Sequence, residues 1–148
     1  MSYPVRSFAL LLGALLVGCA PKASFSVSVS NQTDRPITVG MVKEGEPEEA
    51  AFATPEQMAL ASPIVADHPW GHVVPPGRTM DSPPVTGEFA QGSAAYLRVY
   101  AGEHTNPELL ATGPDSPGRA DVLLFPGHND VTVQIDDTGR LRATRARH

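Results

Sequence analysis

The 15 prolines and 13 glycines of this chain fall in clusters that cut it into short apolar runs, which leaves little room for long helices. Between the clusters the residues alternate apolar and polar with period two, the pattern of half-buried strands. Ser24-Phe25-Ser26-Val27-Ser28-Val29-Ser30 is such a run, and Ile37-Thr38-Val39-Gly40-Met41 resumes it after the turn-forming Asn31 to Pro36, so an opening hairpin is predicted. Lys43 to Glu49, acidic and broken by Pro and Gly, reads as a loop. Thr54-Pro55-Glu56 offers a helix start, with Thr as cap and Pro at the first position, and the helix must end before Pro63. From Asp67 to Pro84 only Val73-Val74 hints at a strand. Ala94 to Ala101 is a strong strand, with Leu97 and Val99 on one face and Tyr96, Arg98 and Tyr100 on the other. Ala120 to Phe125 and Asp130 to Asp136 follow, separated by Pro126-Gly127-His128-Asn129, and Arg140 to Thr144 forms a last strand after the turn Asp137-Thr138-Gly139. About seven strands at turn-bounded spacing predict an all-β fold, a single antiparallel β-sandwich with one short helix. A closed barrel is the alternative that strand number leaves open.

Charge narrows the partners. All 16 acidic residues lie between Ala20 and Gly139, against Lys22, Arg35, Lys43, Arg78, Arg98 and Arg119, and Arg140, Arg142, Arg145 and Arg147 then form a basic tail. An acidic body gives nucleic acid no basic face to bind, so no nucleic-acid partner is expected. The tail suits anionic lipid headgroups. Cys19 is the single cysteine, so no disulfide can staple the domain.

The N-terminus has a separate logic. Met1 to Arg6 carries one basic side chain, the apolar run Phe8 to Val17 follows, and Gly18-Cys19 closes the segment, in the order of a secretory signal peptide. That run is half the length of about 20 apolar residues that a membrane helix needs. Leu16-Val17-Gly18-Cys19 resembles the lipobox of bacterial lipoproteins. The resemblance implies cleavage after Gly18, acylation of Cys19 and anchorage to membrane lipid, and Ala20 after the cysteine implies the outer membrane. Residues 1–18 are then the signal peptide, 19–23 a lipidated linker and 24–148 the β-sandwich domain with its basic tail. The mature chain of about 130 residues is one domain of ordinary size.

Sites of chemistry are few. Asp137-Thr138-Gly139 spells the triplet of aspartic proteases, but Asp and Gly are also what a hairpin turn demands, and Arg140 follows where a small residue is usual. His68-Pro69-Trp70-Gly71-His72 spaces two histidines four apart, yet Pro69 and Gly71 forbid the helix that would align them on a metal, so no metal or other cofactor is expected. No serine lies in Gly-x-Ser-x-Gly, and no glycine-rich loop carries the lysine that phosphates require. Adjacent carboxylates such as Asp136 and Asp137 point to opposite faces of a strand. Catalytic residues are therefore not assigned, and the chain reads as a non-enzyme. What remains is a binding surface made of Trp70, His68 and His72 with Tyr96, Arg98 and Tyr100. The expected function is that of a membrane-anchored accessory or interaction module with an envelope protein partner, the alternative being a glycan- or metal-binding module at the cell envelope.

Overall fold

Alternation along Lys22–Asn31 (β1) places Phe25, Val27 and Val29 inward and leaves the serines facing out. In the computed structural model, which describes residues 20–61 and 70–147, β1 is the centre of one sheet. Gly127–Ile135 (β8) lies parallel to it, with Phe25 level with Gly127 and Val29 level with Val131. Leu141–Arg145 (β9) closes that side antiparallel to β8. The other edge of β1 is shared by two short antiparallel strands, Thr79–Asp81 (β4) and Val85–Glu88 (β5). The second sheet is antiparallel throughout, in the order His72–Val74 (β3), Ile37–Glu44 (β2), Ala94–Ala101 (β6) and Arg119–Leu123 (β7). The fold is an all-β sandwich of two separate sheets. Between them pack Phe25, Val27, Val29, Val131 and Val133 from the first sheet and Ile37, Val39, Leu97 and Val99 from the second.

The helix expected at Thr54 is Pro55–Ala61 (α1), and its start is a reciprocal capping box: Thr54 Oγ1 accepts from the Gln57 amide at 3.2 Å while Gln57 Oε1 accepts from the Thr54 amide at 2.9 Å. A second helix, Asn106–Leu110 (α2), was not expected, although Thr105 and Glu108 make a similar box, with Glu108 accepting from the Thr105 amide at 2.8 Å. The leader with Cys19, and the residues just after α1 that include His68, lie outside the described residues.

Several expectations are corrected. β1 and β2 form no hairpin, because they belong to different sheets. The buried Asn31 side chain makes the corner between them: Nδ2 donates to the carbonyls of Arg35 and Val74, both at 2.9 Å, and Oδ1 accepts from the Thr33 amide and hydroxyl. β1 pairs instead with β8, the one parallel pair among the described strands. Lys43 is within β2, not in a loop, and His128 and Asn129 are within β8, not in a break. β4 and β5 had no alternation long enough to read, and they bring the described strands to nine. The basic tail is largely structured: Arg142 and Arg145 are β9 residues, and the Arg142 Nε–H donates to Asp136 Oδ2 at 2.8 Å. β1 begins at Lys22, two residues before the alternation read from Ser24.

Candidate functional site

The aromatic residues singled out in the sequence do come together, but under cover. Tyr96, Arg98 and Tyr100 share the outer face of the second sheet with Thr38, Gly40 and Val42. Gly71, with φ of 70°, turns the chain so that Trp70 points onto this face while His72 points out to solvent. The Trp70 ring lies against Gly40, where a Cβ would sit 2.6 Å from it, which is why residue 40 is glycine. Its Nε1–H donates to the Ala53 carbonyl at 3.0 Å, and its ring meets Tyr100 edge-on at 5.6 Å. Leu109 of α2 and Met58 of α1 complete this second cluster.

The consequence for binding is direct. Trp70 is 4% exposed and Tyr100 is fully buried, so they are no open platform for a sugar. Arg98 is equally occupied, its Nε 3.2 Å from Asp121 and a terminal nitrogen 3.5 Å from Glu56. The Tyr100 hydroxyl has no hydrogen-bond partner among the described residues, and burial pushes its pKa up against the pull of Arg98 and Arg119. The histidines are scattered: His104 packs on Tyr100, while His128 meets Ser26 and Asp130 on the other sheet. Among the described residues no three His, Cys, Asp or Glu side chains converge as a metal site would need.

The protease-like triplet is a turn. Asp136, just before it, accepts from the Thr138 amide at 2.9 Å, the Thr138 hydroxyl at 2.6 Å and the Arg140 amide at 3.0 Å, in addition to Arg142. These bonds, led by the Thr138 hydroxyl, hold the Asp136 carboxyl far below its usual range near 3.8. Because the folded-state pKa is lowered, the stabilisation is complete above the unfolded-state pKa and is lost as pH falls through the folded one. We therefore expect Asp136→Asn to lower Tm at neutral pH, and the gap from the native chain to shrink on acidification below about pH 4. Parallel melting curves for the two proteins from pH 7 downward check this; a gap that stays constant contradicts it.

A cleft lies on the open side of the sandwich. β7 and β9 close the opposite side, but between β3 of one sheet and the β4–β5 edge of the other a cleft of about 230 Å³ runs in toward Val27, Val29, Val39 and Leu97. Its lip is formed by Met41, Met58 and Met80, with Trp70, Pro83 and the Ala50–Ala53 segment. The chain has four methionines, and every one beyond Met1 lines this cleft. Among the described residues His72 is the only titratable side chain in the lining, which includes no carboxylate. Three methionines on β2, α1 and β4 carry no sequence spacing that announces them, so this site was not visible before the fold.

Comparison with protein-family models, with curated proteins and with solved structures finds no match.

Proposed function

We propose that this chain is a membrane-anchored envelope lipoprotein that acts as a non-catalytic accessory module, seating an apolar side chain of a partner protein in the methionine-lipped cleft. The observation that carries the reading is the gathering of Met41, Met58 and Met80 around one apolar opening. Methionine is unbranched and polarizable, so a lip made of it adapts to a partner's shape and is favoured at interaction surfaces. Size points the same way. At about 230 Å³ the cleft is below the roughly 300–1,000 Å³ of small-molecule sites and fits a single bulky side chain. The described lining is almost wholly apolar and includes no carboxylate, which suits an apolar side chain better than a polar substrate. The glycan- or metal-binding alternative has less support, since Trp70 and Tyr100 are packed inside and Arg98 is paired. Anchorage rests on the lipobox-like Leu16 to Cys19, with Ala20 favouring the outer membrane.

The test is a crosslinking pull-down from intact membranes. Ala51 is exposed at the lip, so Ala51→Trp covers the opening without entering the core. The native chain should enrich one defined envelope protein, and Ala51→Trp should lose it with Tm unchanged. Equal recovery with both chains would rule out the cleft, and recovery of nothing by the native chain would rule out the module.

A further inference from the structure

The anchor and the fold together determine which surface faces the membrane. Ala20 and Pro21 alone separate Cys19 from Lys22, where β1 begins, so the start of β1 is held within about 10 Å of the acylated residue. The parallel pairing of β1 with β8 sets Gly127 level with Phe25, three residues into β1, and places the β7–β8 connection at the tethered end. That connection carries Phe125, 49% exposed, and the last residue of β7 is Leu123, 42% exposed. Both belong to the few large apolar side chains that the described residues expose. β9 runs back toward the same end, and the Arg145 guanidinium stacks 4.0 Å from the centre of the Phe125 ring, with Arg147 just beyond.

Charge selects the orientation. The tethered end has two sides. Along one, Glu48, Glu49 and Glu88 surround Lys22, with Glu44 and Glu46 preceding them in the chain, so carboxylates outnumber the cation and an anionic bilayer repels this side. Along the other, at the β7–β9 edge, exposed aromatic and aliphatic side chains lie beside arginines, the combination that partitions into a headgroup layer. Each basic residue near an anionic surface contributes about 1 kcal/mol. Two arginines beside two apolar side chains are too weak to recruit the domain alone but sufficient to orient one already tethered.

We infer that the corner formed by Leu123, Phe125, Arg145 and Arg147 docks on the anionic surface of the bilayer that holds Cys19, tilting the sandwich onto its β7–β9 edge. This rests on the lipid-anchor reading. It leaves the methionine cleft, on the opposite lateral side of the sandwich, facing outward.

The experiment uses the mature acylated chain reconstituted into vesicles containing brominated phosphatidylcholine, with or without phosphatidylglycerol. Phe125→Trp reports on the corner and Asp137→Trp on the far β8–β9 turn, while the buried Trp70 is a common background in both. Intact mass of each preparation reads the acylation of Cys19. With phosphatidylglycerol present, bromine quenching at 125 should exceed that at 137 by about threefold, and Arg145→Glu with Arg147→Glu should abolish the difference. An acylated chain with equal quenching at the two positions overturns the docking surface and leaves the anchor standing. A chain without acyl mass overturns the anchor, and the docking surface with it.

Discussion

Replacing Lys43 by Ala should lower stability by about 3 kcal/mol and Tm by about 10 °C, although Lys43 is a lysine in an acidic, Pro- and Gly-broken stretch that reads as solvent-exposed loop. Its position in β2 has the same parity as Ile37 and Val39, so the side chain enters the sandwich, where it is 2% exposed. There the ammonium donates to the carbonyls of Pro47 and Glu88, lies 3.4 Å from Glu49 Oε1, and sits 4.8 Å from the centre of the Phe89 ring. Three donors thus meet three acceptors. Glu49 in turn accepts from the Glu88 amide, and that bond, ahead of Lys43, holds its carboxyl below the usual range. Truncation leaves two buried carbonyls unpaired, and an orphaned acceptor costs about 1–3 kcal/mol, whereas an exposed lysine costs nothing measurable. Lys43→Met separates the causes: it keeps most of the alkyl stem but none of the donors, so it should lose nearly as much as Ala. Urea titration of the two variants checks this, and a loss under about 1 kcal/mol for Lys43→Ala contradicts the buried network.

Phe52→Ala should cost more, about 3–5 kcal/mol, the range for emptying a buried aromatic site. Phe52 belongs to no strand; it ends the 3-10 turn Ala50–Phe52 and is buried against Phe25 at 6.1 Å and Phe89 at 5.5 Å, both edge-on. Gly87 in β5 makes room for it, since a Cβ there would sit 2.7 Å from the ring. The ring therefore fills the open side of the sandwich where no strand continues either sheet. Phe52→Leu retains most of the volume and should lose less than about 1.5 kcal/mol. Similar losses for the Ala and Leu variants, measured by urea unfolding, would show that ring volume is not what stabilises this side.

Particular residues show how far the sequence could be read. Phe25, Val27, Val29 and Val131, Val133 declared their inward faces by alternation, because a pleated strand sends successive side chains to opposite sides whatever it pairs with. Thr54 and Pro55 declared a helix start for the same local reason. The pairing partner is not local, and so the expected hairpin of β1 and β2 became a corner between sheets once Asn31 found the Val74 carbonyl. The aromatic group was legible as a group but not as buried: alternation sets Tyr96 and Tyr100 on a common face, while the cover over that face comes from Trp70 and α1, remote in sequence, and from the unexpected α2.

The sequence by itself determined the all-β class, the inward faces of the long strands and the turn at Asp137-Thr138-Gly139, since each depends on neighbours within a few residues. Tertiary structure alone decided that β1 lies parallel to β8, that Lys43 is inside, that Trp70 and Tyr100 are covered and that three methionines meet at one cleft. Those outcomes depend on contacts between residues tens of positions apart, whose geometry exists only when two sheets have closed over a shared core.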